Sequence, residues 1–158
     1  MSIFEDANAY FQTAETVVYD GRGIATRAHL GELSNAITIN NWHLYEQSAV
    51  EGGFQTAFQA GDTTMWVMTS TCSAYSAVYA IYVMADEHEL NALLSAAIDV
   101  ANNHWLLKVT PFPDRRTFRV SVELSLTMAD VAGTLKQCVQ ACKVGAMHFF
   151  AAVEEFAK

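Results

Sequence analysis

Thr117-Phe118-Arg119-Val120-Ser121-Val122-Glu123-Leu124-Ser125-Leu126 alternates apolar and polar residues at a period of two. Phe118, Val120, Val122, Leu124 and Leu126 fall on one side, and Thr117, Arg119, Ser121, Glu123 and Ser125 on the other. That period belongs to an antiparallel strand with one face on a core and the other in water. A Pro-Phe-Pro-Asp-Arg-Arg connection, Pro111 to Arg116, leads into it, and a long apolar-striped helix follows. The run therefore predicts a sheet with one wet face and helices packed on the other.

Working outward, the helix that follows is predicted to begin near Thr127, which with Asp130 has capping-box spacing. Met128, Val131, Leu135, Cys138, Cys142, Ala146, Phe149, Val153 and Phe156 recur at three- and four-residue steps, and the helix could extend to Ala157. Gly145 interrupts this helix and is a candidate bend. Upstream, Trp105 to Thr110 reads as the partner strand. Before it, a helix opens at Asp86, with Asp86, Glu87 and Glu89 at the positive end of its dipole. Its expected buried stripe is Leu90, Leu93, Leu94, Ala97, Ile98 and Ala101, and Asn102-Asn103 ends it.

The first half holds a meander. Strands are predicted at Trp42–Ala49, Phe54–Gln59, Thr63–Cys72 and Ala77–Met84, separated by Glu51-Gly52-Gly53 and Ala60-Gly61-Asp62 turns and a Ser73–Ser76 break. Two helices precede them, over Ile3–Tyr19 and Thr26–Ile37. The order is α-α-β-β-β(-β)-α-β-β-α. Segregated helices and strands place the chain in the α+β class, with an antiparallel sheet and helices on one face. No repeat or linker divides it, so residues 1–158 read as one domain.

Composition narrows the function classes. Apolar residues make up 52% and charged residues 16%, a core-rich chain with a thinly charged surface. The net charge is −8, unevenly spread. Residues 1–107 hold Arg22 and Arg27 against twelve acids, whereas residues 108–158 hold seven bases against five acids. Such a chain is repelled by phosphates, which argues against a nucleic-acid partner and suits a basic or amphipathic one. The most apolar stretch, Ser76 to Ala85, is too short to cross a membrane. The acidic start, Met1 to Asp6, has no apolar signal region, so a cytoplasmic location with reduced cysteines is expected.

Catalytic and cofactor motifs are missing from the sequence. Cys138 and Cys142 lie on the apolar stripe of the last helix and read as core thiols rather than a redox or metal pair. His29, His43, His88, His104 and His148 include no HExxH pair and read as surface or capping residues. There is no GxSxG, P-loop or complete dinucleotide glycine motif. Neither cofactor nor metal is expected. Arg115, Arg116 and Arg119 form the one basic cluster, either a site for an anion or acidic peptide or counter-charges for the acids of the chain itself or of a second copy. Trp66, Tyr79 and Tyr82, with Tyr75, Met65, Met68 and Met84, crowd the third and fourth strands. Aromatic and Met side chains of this kind are enriched at interfaces. The candidate partner-binding residues are therefore Arg115, Arg116, Arg119, Trp66, Tyr79 and Tyr82.

Leu90-Asn91-Ala92-Leu93-Leu94, Asn102-Asn103, the strand from Phe112 to Leu126 and the long final helix resemble the bacterial YbjN family, described as sensory transduction regulators. The element order resembles the type III secretion chaperone-like fold. The resemblance covers residues 27–156 and leaves 1–23 as an additional N-terminal helix. It implies a noncatalytic, homodimeric, regulatory or chaperone-like protein that holds a partner segment against its sheet, a strand edge or its last helix. It transfers no catalytic residue. The alternative reading is a small-molecule sensor with a pocket between sheet and helices.

Overall fold

The computed structural model describes residues 27–51, 53–70, 75–104, 106–125 and 130–158. The helix expected over residues 3–19, the Gly21–Gly23 stop, Cys72, Trp105 and Thr127 lie outside the described residues. The elements are α1 (Arg27–Ile39), β1 (His43–Val50), β2 (Gly53–Ala60), β3 (Thr63–Ser70), β4 (Tyr75–Val83), α2 (Leu90–Asn103), β5 (Leu107–Phe112), β6 (Thr117–Ser125) and α3 (Val131–Phe156). A single 3-10 turn, Pro113–Arg115, joins β5 to β6.

All six strands form one antiparallel sheet in the order β1-β2-β3-β4-β6-β5. The expected α+β architecture is present, with helices on one face. Gly61 opens the two-residue β2–β3 turn at φ 65°, a conformation that glycine takes without a Cβ penalty. β1 is an edge strand whose register shifts between Leu44 and Glu46, a bulge. β5, the other edge, carries Pro111. Bulges and edge prolines both blunt strand edges against further pairing.

The alternation of β6 reads directly onto this sheet. Phe118, Val120, Val122 and Leu124 are buried under the helices. Phe58, Phe118 and Phe149 are the largest fully buried side chains. Phe118 is a hub: its ring centroid lies 4.4 Å from Phe149, 5.0 Å from Phe150 and 5.4 Å from Tyr82. Asn40 Nδ2 donates to the Ala132 carbonyl at 3.0 Å and ties the end of α1 to the start of α3.

Four expectations are corrected. First, α2 begins at Leu90, not at Asp86. Glu89 is extended (φ −63°, ψ 143°) and makes no side-chain cap, so the acids sit ahead of the helix rather than in its first turn. Second, its buried face is Ala92, Leu93, Ala96 and Val100, whereas Leu90, Leu94 and Ile98 point outward. Third, α3 runs without interruption through Gly145. A Cβ there would come within 2.9 Å of Leu107 Cδ1 and 3.1 Å of Val120 Cγ1, so the glycine serves close packing on β5–β6 rather than a bend. Fourth, α3 begins at Val131, capped by Asp130, whose carboxylate accepts from Gly133 N at 2.9 Å.

Gly53 and Gly31 make a contrasting pair. A Cβ on Gly53 would collide with the Thr69 carbonyl oxygen across the β2–β3 ladder. Gly31, in α1, has nothing among the described residues within 4 Å of a built Cβ. Urea unfolding is expected to show Gly53→Ala losing about 1–2 kcal/mol through backbone displacement. Gly31→Ala is expected to gain about 0.5–1 kcal/mol through helix propensity. Equal shifts in the two variants would contradict the close approach at Gly53.

Candidate functional site

The helices cover one face of the sheet and, among the described residues, leave the other uncovered. On that open face the register aligns Ala57 with Trp66, Trp66 with Tyr79, and Tyr79 with Ser121 across four strands. Met68 stands beside Ala77, Ala77 beside Glu123, and Ile81 beside Arg119. Lys108 and Thr110 continue the surface onto β5 opposite Ser121 and Arg119.

These side chains form an ordered stack. The rings of Trp66 and Tyr79 lie 5.6 Å apart and nearly parallel, at 14°. The Arg119 guanidinium lies 5.7 Å from the Tyr79 ring centroid and 5.8 Å from that of Phe112. Arginine favours such aromatic faces because its planar charge is weakly hydrated. Gln55 Nε2 donates to the Tyr79 hydroxyl at 2.7 Å. Burial raises the Tyr79 phenol above its ordinary range, against the opposing effects of Arg119 and the Gln55 hydrogen bond. The stack borders a shallow hollow of about 700 Å³ that also takes in Met68, Lys108, Ser121 and Glu123. Arg119 Nε is buried and has no acceptor among the described residues. An unmet charged donor of this kind is costly unless something supplies an acceptor.

The six predicted residues separate. Trp66, Tyr79 and Arg119 come together on the open face. Tyr82 does not join them: it faces the helix layer, stacked on Phe118, and its buried hydroxyl has no partner among the described residues. Burial raises its phenol to about 12. Arg115 and Arg116 sit in the turn at the end of the sheet. Arg116 adopts a left-handed conformation at φ 52°. Its carbonyl accepts from Met84 N at 2.7 Å and its guanidinium donates to the Ala85 carbonyl, so it secures the turn against the end of β4. Arg115 is exposed. The ion pairs among the described residues, Lys143–Asp62 at 3.8 Å and Lys158–Glu155 at 3.9 Å, use none of the three arginines.

Sequence reasoning missed Phe112 and Gln55, since their contribution depends on cross-strand register. It also treated His104 and His148 separately. Their ring nitrogens Nε2 and Nδ1 are 2.9 Å apart, one donating and the other accepting, which ties the end of α2 to α3. No group of three or more His, Cys, Asp or Glu that could hold a metal converges among the described residues. The two helical cysteines are buried and unpaired. Cys142 Sγ lies 3.7 Å from the carbonyls of Val78 and Val120, both acceptors for its thiol. A second, mostly apolar groove of about 460 Å³ lies beside α3, between Leu106, Leu107 and Ala141, with His104, Thr134 and Gln137 among its polar lining residues.

No helix among the described residues is long and apolar enough to cross a membrane. No family model matches the chain, and no curated protein matches it. Among solved structures, the chain is similar to the crystal structure of an uncharacterised protein from Methanothermobacter thermautotrophicus. The TM-score is 0.60 at 9% identity, over 82% of this chain and 99% of that one. At that identity the likeness establishes a shared α+β fold.

Proposed function

We propose that this chain is a noncatalytic protein-binding module, regulatory or chaperone-like, that seats a partner segment across the open face of its sheet. The observation that carries the reading is the Trp66–Tyr79–Arg119–Phe112 stack, held on a face that no described helix covers, with Arg119 Nε lacking an acceptor among the described residues. Aromatic and Arg anchors of this kind dominate protein interfaces. The partner presents apolar side chains to Trp66 and Met68, and a carbonyl or carboxylate oxygen to Arg119. The bulge in β1 and Pro111 in β5 favour the face over strand addition at an edge. The resemblance to the YbjN family and to secretion chaperones points the same way and adds a homodimer and a cytoplasmic setting to the proposal.

A displayed peptide library panned on the wild-type protein tests this. Selected peptides are expected to carry aromatic and acidic residues. Trp66→Ala and Arg119→Gln are each expected to weaken them about thirtyfold, the equivalent of a 2 kcal/mol anchor. Arg115→Ala is expected to leave affinity unchanged. Peptides that bind all variants equally would overturn the open face as the site. Light scattering over a dilution series tests the dimer: a dimer lost in Trp66→Ala would mean that a second copy occupies this face. The apolar groove beside α3 favours a second reading, a small-molecule sensor, for which Ala141→Trp should abolish any ligand-induced thermal shift.

A further inference from the structure

Helix α2 carries two apolar stripes, and the core uses one. Ala92, Leu93, Ala96 and Val100 are buried. On the opposite side Leu90, Leu94 and Ile98 form a four-residue-step ridge, 52%, 45% and 61% exposed. Leu90, Leu94, Ala97 and Ala101 also follow alternating steps of four and three, the spacing of a seam between two helices. Large aliphatic side chains gathered on one helical ridge, rather than scattered singly, mark a surface that another element covers.

The charge around the ridge indicates what covers it. No Lys or Arg occurs between residues 28 and 107. Asp86, Glu87 and Glu89 are exposed immediately ahead of α2, and Asp99 lies on it, half-buried. The N-terminal half of α2 lies beside the C-terminal end of α3, where Glu154 and Glu155 are exposed. Of the bases near this rim, Lys158 pairs with Glu155, and the Arg116 guanidinium is held on the Ala85 carbonyl. An apolar ridge with an acidic rim complements a helix whose apolar stripe is flanked by Lys and Arg. A second copy would bring a second set of the same acids, Asp86, Glu87, Glu89 and Asp99, to the same contact. An anionic membrane surface would be repelled by the same acids.

We propose that the outward face of α2, centred on Leu90, Leu94 and Ile98, is a docking site for a basic amphipathic helix of a partner protein. The site is separate from the open sheet face and lies on the helix side of the molecule. With both sites occupied, the chain would hold two partner segments on opposite faces of one sheet-and-helix sandwich.

The probe is a fluorescein-labelled synthetic helix with Leu at heptad-spaced positions and Lys elsewhere, titrated with full-length protein by anisotropy. Two controls accompany it: a Glu-for-Lys peptide and a scramble of the same composition without the stripe. The Leu/Lys helix is expected to bind, more weakly as salt rises. The Leu94→Gln, Ile98→Gln double variant and, separately, Leu90→Gln are expected to weaken it at least about tenfold. Trp66→Ala is expected to bind it unchanged, which separates this site from the open-face reading. Because these residues are exposed, the melting temperature should stay near wild type, and Leu90→Gln keeps the test valid if the double variant unfolds. Four results would overturn the proposal: equal binding of the scramble, equal binding of the Glu peptide, unchanged binding by the stripe variants, or a dimer in light scattering that the stripe variants dissolve. Stripe-dependent capture by anionic vesicles in place of the peptide would reassign the ridge to a membrane.

Discussion

Phe118→Ala is expected to lower the free energy of unfolding by about 3–5 kcal/mol, the range for deleting a fully buried aromatic ring. Domains of this size are stable by about 5–15 kcal/mol, so the variant sits near the threshold of folding. The ring is 0% exposed and touches three other aromatic rings from β4 and α3. Its removal therefore leaves a cavity at the point where sheet and long helix meet, and Tyr82, Phe149 and Phe150 lose a shared partner. Phe156→Ala, on a side chain 47% exposed, is expected to cost under about 1 kcal/mol. Chemical denaturation of both variants checks the pair. A loss below about 1.5 kcal/mol for Phe118→Ala would mean that the helix layer does not pack on β6 as described.

Alkaline pH is the second large perturbation. Burial raises the Cys142 thiol from 9.0 to about 12 and the Cys138 thiol from 9.0 to about 11. Both groups are acids whose neutral form the fold protects, so between pH 9 and 11 the native state holds protons that the unfolded chain has released. Stability then falls as pH rises. Cys142 alone is expected to account for about 2 kcal/mol lost between pH 8 and pH 10.5, and the two thiols together for about 3 kcal/mol, with Cys138 discounted for its position nearer the surface. Tyr82, raised from 10.0 to about 12, acts in the same direction at the top of that window. Urea midpoints across the range measure the slope. Cys138→Ala with Cys142→Ala is expected to lower stability at pH 8 through lost packing while flattening the pH dependence. An unchanged slope in the double variant would show that other groups carry it. The same burial predicts slow modification of Cys142 by a thiol reagent in native protein and fast modification in denaturant.

Much of this was legible in the residues. The period-two alternation of Phe118, Val120, Val122 and Leu124 depends only on backbone geometry, and the register places all four in the core. The stripe held from Val131 to Val153 for the same reason, that a long helix beside a sheet has one side that can be dry, whereas its last expected member, Phe156, is exposed. Tyr79 and Tyr82 were grouped as one candidate surface, although residues three apart on a strand face opposite ways, and the register sends Tyr82 to the helix layer. Other features lay beyond local pattern. α2 is apolar on both sides, so its periodicity did not indicate which stripe meets the sheet, and Leu90, Leu94 and Ile98 fell on the outer one. Arg115, Arg116 and Arg119 are neighbours in sequence, but a left-handed residue at 116 turns the chain between them.

By itself, the sequence determined the α+β class, the antiparallel meander, the core face of β6 and α3, and the burial of Cys138 and Cys142, because each follows from short-range periodicity and the cost of exposing apolar surface. Tertiary structure alone decided the cross-strand stack of Trp66, Tyr79, Phe112 and Arg119, the contact of His104 with His148, the close passage at Gly145, and the outward turn of one α2 stripe. These depend on register and on which surfaces are left over once the core is full, and the energies that set both come from contacts between residues far apart in the chain.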